Sequence, residues 1–157
     1  MIRPATPEDL PLIARLIRDL AEYQKLSHEV VFREEDLHRH LFGARPSAEV
    51  VLAESGGHGV GFALFFLTFS TFLARPSLYL EDLFVMPEHR GQGHGKQLLS
   101  HLARLAVERG CGRFEWSVLD WNTRAIAFYE SFGARPQHDT TLFRLKGEAL
   151  ERFAQAP

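Results

Sequence analysis

The sequence has few of the features that mark secreted, membrane-spanning or nucleic-acid-binding proteins. Its 157 residues include one cysteine, Cys111, which excludes an internal disulfide and favours a reducing, cytoplasmic compartment. No apolar run approaches the roughly 20 residues that a membrane-spanning helix needs. The segment 1–4 carries a charge and a proline, which are not typical of a signal peptide. The net charge of −2 gives no indication of a nucleic-acid partner.

Internal repeats, low-complexity segments and interdomain linkers are also absent, and the length fits a single domain over residues 1–157. Strand-like and helix-like patterns alternate along the chain, which favours the α/β class. Helices are expected over 6–23, 33–42, 93–109 and 122–132, with a helical tail over 146–153. Strands are expected over 2–5, 49–54, 60–68, 78–85 and 113–119, with a loop over 70–77 and a last hairpin-like pair over 134–145.

The most informative segment lies between the strand at 78–85 and the helix that follows it. Arg90, Gly93 and Gly95 form a basic, glycine-dense turn that opens the helix. Glycines allow a ligand to approach the backbone closely, and the first helical turn leaves amide hydrogens unpaired. Those amides and the helix dipole suit a pyrophosphate, and Arg90 and Lys96 add positive charge.

Two common phosphate-binding motifs do not fit this turn. A Walker A loop needs glycine at position 90 and serine or threonine at 97, where the chain has Arg90 and Gln97. The dinucleotide fingerprint, started at Gly91, needs glycine at position 96 and meets Lys96. The remaining pattern is R-x-x-G-x-G between a strand and a helix; an ordinary turn is the alternative interpretation.

Two consecutive carboxylates, Glu81 and Asp82, interrupt the apolar strand just before this turn. Because side chains alternate between the faces of a strand, both can point to solvent only if a bulge intervenes. At least one is expected to face a cleft or a polar partner, since an unpaired buried charge is costly. A structural ion pair with an arginine is the alternative, and the position next to the glycine turn favours a function.

A third element combines a helix cap with a phenol. Asn122 stands where the N-cap of a helix is expected, and Tyr129 follows two helical turns later on nearly the same face. One helix could therefore offer a polar end and a phenol to different parts of a long ligand. In isolation, Tyr129 would be interpreted as a core aromatic whose hydroxyl reaches the surface.

Taken together, these elements resemble the diamine acetyltransferase branch of the GNAT N-acetyltransferases, which includes spermidine/spermine acetyltransferases and their thialysine-acetylating relatives. The resemblance is densest over 79–86, 90–95 and 118–122, and it runs almost to the C-terminus. It implies the GNAT acyl-CoA fold, with a mixed, largely antiparallel central sheet flanked by about four helices. It also implies a homodimer.

The resemblance implies a role for each matching position. The acetyl carbonyl and the pantetheine arm of acetyl-CoA would be held by backbone groups of Leu83, Phe84 and Val85. The pyrophosphate would lie on the turn, and the donor would be contacted again beyond it: Arg90, Gly91, Gln92, Gly93, His94, Gly95 and Lys96, then Asn122, Thr123, Arg124 and Ala125. Tyr129 would be the general acid and Glu81 the base, acting through water. The acceptor would be bound by Tyr23, Gln24, Glu81 and Asp82.

The expected reaction is transfer of an acetyl group to the primary amine of a small molecule through a ternary complex. No metal is needed, and no plausible ligand cluster is present; His38, His40, His89 and His94 are interpreted as solvated surface residues. Gln24 replaces a glutamate of the polyamine enzymes, and the segment 69–73 lacks their acidic residue and tryptophan. Fewer negative charges favour a thialysine-like amine over spermine. A peptide acetyltransferase and a non-catalytic acyl-CoA-binding module are the alternatives.

Overall fold

The computed structural model describes residues 1–156. It contains two compact units, Met1–Leu119 and the chain from Asp120 onward. The first unit holds the whole sheet and three helices: α1 (Leu10–Tyr23), α2 (Glu34–Phe42) and α3 (His94–Glu108). The second unit contains α4 (Thr123–Glu130) and α5 (Gly147–Ala154). The expectation of a single domain stays a prediction.

The sheet has five strands in sequence order: β1 (Ile2–Pro4), β2 (Glu49–Ser55), β3 (His58–Ser70), β4 (Arg75–Val85) and β5 (Arg113–Trp116). Neighbours pair antiparallel except β4 and β5, which are parallel. Helix α3 makes the crossover between these two strands, as parallel strands require. The α/β class and the mixed, largely antiparallel sheet are confirmed, with five α-helices where about four were expected.

Helix α1 begins where the sequence indicates, after a short 3-10 turn at Pro7–Asp9. The Asp9 carboxylate accepts the backbone N–H of Thr6 at 2.8 Å and so closes the first turn. The same carboxylate accepts hydrogen bonds from both terminal nitrogens of Arg3. The Nε of Arg3 donates to the Glu54 carboxylate at 2.7 Å. This ion network joins β1, the start of α1 and the end of β2.

The core on the α1 and α2 side of the sheet is built from side chains of alternating strand positions and of one stripe on each helix. Its members are buried and apolar: Ile13, Leu16, Leu20, Leu41, Val50, Leu52, Phe62, Leu64, Phe84 and Met86. Helix α3 buries its own stripe, Leu98, Leu99, Leu102 and Ala106.

Two expectations about connections are wrong. The loop over 70–77 is only a turn at 71–74, because β3 and β4 continue pairing to Ser70 and Arg75. The hairpin over 134–145 does not form: this segment contains no strand among the described residues. Strands in this segment would need partners for their backbone amides.

Candidate active site

The carboxylate pair lies on a β-bulge. Leu80 pairs with Phe65 and Asp82 pairs with Leu64, so Glu81 is an extra residue in the β3–β4 ladder. The bulge that would allow two consecutive carboxylates in an apolar strand is therefore present. Glu81 is exposed, whereas Asp82 is partly buried. Burial, and secondly the charge of Glu81, raise the pKa of Asp82 to about 6.

The same bulge marks the point at which β4 loses one of its neighbours. Pairing between β4 and β5 covers Ser77 to Leu80 and stops there, so residues 82–85 of β4 pair only with β3. The N–H of Met86 donates to Val60 of β3 at 2.9 Å. Because backbone groups alternate in direction, those of Leu83 and Val85 point to the open edge. This edge can pair with an extended, amide-containing ligand.

The glycine turn presents backbone amides at the start of α3. Gly91 and Gly93 have φ values of 77° and 86°, a left-handed conformation that favours glycine. Gln97 donates the first intrahelical bond, to Gly93 at 2.9 Å, so the amides of His94, Gly95 and Lys96 precede the hydrogen-bonded helix.

The space around this turn fits an anionic ligand such as a pyrophosphate. A Cβ added at Gly91, Gly93 or Gly95 would meet no atom within 4 Å, so the backbone can be approached closely. Lys96 is exposed and forms no ion pair within residues 1–156. The amides, the helix dipole and this ammonium together supply the positive potential that a pyrophosphate needs.

Arg90, the first residue of the motif, is turned toward the protein. Its Nε donates to the carbonyl oxygen of Val85 at 2.9 Å. The guanidinium carbon lies 4.7 Å from the ring centre of Tyr23 and 5.2 Å from that of Phe84. Tyr23 ends α1, so Arg90 connects this helix to the end of β4. The sequence analysis placed Tyr23 and Arg90 in different subsites and gave no signal of their contact.

His94 contradicts the expectation that the histidines are solvated. It is 8% exposed, and neither ring nitrogen has a hydrogen-bond partner within the described chain. Its position explains the burial, because His94, Leu98 and Leu102 are spaced four residues apart on the inner stripe of α3. That spacing was available in the sequence and could have identified His94 as an inward-facing residue. The His89 ring lies 6.4 Å from it, centre to centre.

Gln24 caps the C-terminal end of α1, where its N–H donates to Leu20 at 2.9 Å. The next residue, Lys25, has a φ of 61° and turns the chain away from the helix. Tyr23 is 40% exposed and Gln24 is partly buried. The expected acceptor residues of α1 therefore lie at the end of this helix, and Tyr23 also contacts Arg90 of the glycine turn.

The remaining expected site residues belong to the second unit. The Oδ1 of Asn122 accepts the N–H of Ala125 at 3.2 Å, so the predicted N-cap of α4 is confirmed. Thr123 and Arg124 form the exposed first turn of this helix. Tyr129 is partly buried, with its ring centre 5.6 Å from Phe128 and 6.3 Å from Phe132. Asn122 and Tyr129 are thus carried by one helix, as the spacing predicted.

No group of three or more histidine, cysteine, aspartate or glutamate side chains is arranged to hold a metal ion within residues 1–156. None of the described helices combines the length and the apolar character required to span a bilayer.

Comparison with known proteins adds an independent finding. The sequence model of the Acetyltransferase (GNAT) family matches residues 15–134. The chain is 39% identical to a thialysine N-epsilon-acetyltransferase of Sus scrofa, and the alignment covers 98% of this chain and 96% of that protein. It is 35% identical to an L-ornithine N5-acetyltransferase of Arabidopsis thaliana, over 96% of this chain and 86% of that protein.

A solved structure supports the same fold. The integron cassette protein from the mobile metagenome of V. cholerae superposes with a TM-score of 0.82 at 28% sequence identity. The match covers 99% of this chain and 98% of that one.

Proposed function

The chain belongs to the acetyltransferase (GNAT) family, and on this premise we propose that it transfers the acetyl group of acetyl-CoA to the primary amine of a small molecule. The near full-length similarity to small-amine acetyltransferases carries this proposal. The carboxylates on the bulge support it, because they lie in β4 where its pairing with β5 ends and its open edge begins.

We assign the acyl donor to the open edge and to the glycine turn. The outward backbone groups of Leu83 and the N–H of Val85 would pair with the amides of the pantetheine arm, whereas the backbone groups of Phe84 point to β3 and do not face the donor. The amides from Gly91 to Lys96 would hold the pyrophosphate. The assignment of Asn122 to Ala125 to donor binding is kept as a separate proposal. Bound in this way, acetyl-CoA supplies an activated acetyl thioester.

The acceptor must lose a proton in the reaction. A lysine-like amine has a pKa near 10.4, so only about one molecule in a few thousand is neutral at pH 7. Raising that fraction to order one corresponds to roughly 4.6 kcal/mol at about 1.36 kcal/mol per pKa unit. Glu81 is exposed, which suits a base that accepts the proton through water.

The departing thiolate must gain a proton. Tyr129 is assigned as the general acid because a tyrosine hydroxyl can donate its proton to the departing thiolate. Backbone N–H groups of the open edge would stabilise negative charge that develops on the acetyl oxygen. Each assignment concerns one residue and is tested separately below.

We expect a short, amino-acid-like acceptor such as thialysine or a lysine analogue. Asp82 can bind one ammonium group, and Tyr23 and Gln24 contribute to the acceptor site at the end of α1. Gln24 is uncharged, and the turn at 71–74 contains no acidic residue. A long polycation such as spermine therefore meets fewer carboxylates than it needs.

The proposal is tested by measuring thiol release from acetyl-CoA with thialysine, lysine, ornithine, putrescine, spermidine and spermine in parallel. Turnover that favours one short amine is the expected result. A kcat/KM on spermine equal to or above that on thialysine would contradict the acceptor assignment. Turnover only on a peptide amine would identify a peptide acetyltransferase, and tight acetyl-CoA binding without turnover would identify a binding module.

The assembly that we propose is a homodimer in the cytoplasm. Large apolar side chains are exposed in the C-terminal segment, including Leu142 at 84%, Phe143 at 91% and Phe153 at 72%. A second copy could bury them. Sedimentation of the wild type and of Leu142→Ser/Phe143→Ser tests this, because the double variant is expected to shift toward the monomer.

The single cysteine supports the proposed cytoplasmic location, and nothing in the composition supports a nucleic-acid or membrane partner.

A further inference from the structure

The guanidinium of Arg90 is held by contacts within the protein. It donates from Nε to Val85 and lies over the rings of Tyr23 and Phe84, at 4.7 and 5.2 Å. A guanidinium is attracted to the faces of aromatic rings, and its planar shape allows it to stack there while its edge donates a hydrogen bond. These contacts hold three segments together: the end of α1, the end of β4 and the start of the glycine turn.

The carbonyl group that Arg90 binds belongs to the open edge of β4. Since the N–H of Met86 points to β3, the backbone groups of Val85 point the other way. The Val85 carbonyl is the last outward-pointing acceptor before the 3-10 turn at Pro87–His89. Arg90 occupies this acceptor and so leaves the N–H of Val85 and the backbone groups of Leu83 for an extended ligand.

Lys96 has the opposite surroundings. It is exposed, lies in the first turn of α3 and forms no ion pair within residues 1–156. Its ammonium is therefore available to an anion that binds the amides of the same turn. The two basic side chains therefore differ in their surroundings. The Lys96 ammonium is exposed to solvent, whereas the Arg90 guanidinium contacts Val85, Tyr23 and Phe84.

We propose that Arg90 is a positioning residue that fixes the open edge of β4 against Tyr23 of α1, and is not a direct ligand of the pyrophosphate. This inference rests on the proposed acetyl transfer, in which β4 holds the acyl donor and the end of α1 contributes to the acceptor site. Through Arg90, the two substrates are held at a fixed distance from one another. The pyrophosphate charge is met by the loop amides and by Lys96.

The first test measures the binding of acetyl-CoA by calorimetry at low and high salt, because exposed charge–charge contacts weaken as salt screens them. Lys96→Gln is the matched control and is expected to reduce the salt dependence of Kd. Arg90→Gln is expected to keep the wild-type salt dependence, with any weakening the same at both salt concentrations. A salt dependence reduced as much as in Lys96→Gln would overturn the proposal.

The second test examines the link to Tyr23 through the acceptor. Tyr23→Phe keeps the ring that contacts Arg90 and serves as the reference; relative to it, Tyr23→Leu should raise the acceptor KM by about threefold to tenfold, the range of one cation–π contact, with little change in kcat. In the Arg90→Gln background, Tyr23→Leu should add less than about twofold, because the contact is already lost. If Tyr23→Leu raises the acceptor KM by the same factor in the wild type and in Arg90→Gln, the proposed coupling between Tyr23 and Arg90 is contradicted.

Arg90→Lys provides a further discrimination that also serves if Arg90→Gln does not fold. Lysine keeps the positive charge but has no planar guanidinium that can lie over the two rings while its Nε donates a hydrogen bond. If Arg90 were a direct ligand of the pyrophosphate, Arg90→Lys would largely restore the binding of acetyl-CoA. If Arg90 is a positioning residue, Arg90→Lys should show the same raised acceptor KM as Arg90→Gln. The calorimetric test needs no acceptor, so absence of turnover in the wild type would reject the proposed function without deciding the role of Arg90.

Discussion

Leu80 and Asp82 lie two residues apart on β4 but on opposite faces of the sheet. Their β3 partners, Phe65 and Leu64, are consecutive and therefore face opposite ways. Leu64 belongs to the core that packs against α1 and α2, so Asp82 is on the same face as that core. The inserted Glu81 thus moves a carboxylate to the α1 side of the sheet, where the proposed acceptor residues Tyr23 and Gln24 lie.

This placement predicts that ionisation of Asp82 lowers the free energy of unfolding by an amount that depends on pH. The folded state raises the pKa of Asp82 from 3.8 to about 6, so ionisation is unfavourable in the folded protein. The penalty is absent well below pH 3.8, where the group is protonated in both states, and it reaches its full value well above pH 6. The shift corresponds to about 3 kcal/mol, which partial solvent exposure reduces to about 1–2 kcal/mol.

Asp82→Asn is therefore expected to raise the free energy of unfolding at pH 8 and to leave it unchanged near pH 3. Urea unfolding across this range measures the difference, with Glu115→Gln as a control at an exposed position on β5. The same variant should lose most acceptor kcat/KM. A stability gain that is equal at both pH values would show that Asp82 ionises freely in the folded state.

Substitution of the two proposed proton-transfer residues, Tyr129 and Glu81, should lower kcat much more than substitution of a neighbouring residue. Tyr129→Phe and Glu81→Gln are each expected to lower kcat by about a hundredfold or more, the usual range for general acid–base groups. Calorimetry should show acetyl-CoA Kd within about threefold of the wild type, because neither side chain is assigned to donor binding. Phe128→Leu is the matched control on α4; a similar loss of kcat in it would indicate general disruption of the helix.

The ion network at the N-terminal end of the sheet predicts a second pH effect, of opposite sign. Hydrogen bonds from Arg3 lower the pKa of Asp9 to about 2. Asp9 therefore contributes stability fully above pH 4, and this contribution is lost as the pH falls from 4 to 2. Asp9→Asn should cost about 2 kcal/mol at pH 7 and almost nothing at pH 2. Urea unfolding at the two pH values checks this; an equal cost at both would contradict the ionic origin.

The unpartnered imidazole of His94 predicts a stabilising substitution. A buried polar group without a partner costs about 1–3 kcal/mol, and leucine at this position would continue the apolar stripe of α3. His94→Leu should raise the melting temperature by about 2–8 °C. Calorimetric melting checks this against His89→Leu at a partly exposed neighbour, expected to have little effect. A lowered melting temperature in His94→Leu would show that the imidazole is paired in solution.

Much of the site could be predicted from local sequence because it depends on local geometry. The α3 helix start follows from glycines that reach left-handed φ values, and the Asn122 cap follows from a side chain that reaches its own helix. The carboxylate pair indicated a bulge, since an apolar strand tolerates consecutive charges only where its alternation breaks. The acetyltransferase assignment rests on the resemblance of these motifs, in this order along the chain, to a known family.

Other features were decided only by tertiary structure. The Tyr23–Arg90 contact joins residues 67 positions apart along the sequence, and no local pattern specifies it. The failure of 134–145 to form a hairpin depends on partners that alternation alone does not provide. The sequence by itself determined where the helices, the glycine turn and the candidate site residues lie along the chain, through periodicity and backbone preference. The sheet's register decided where Asp82 faces and which groups of β4 stay open, because pairing is a property of two segments together.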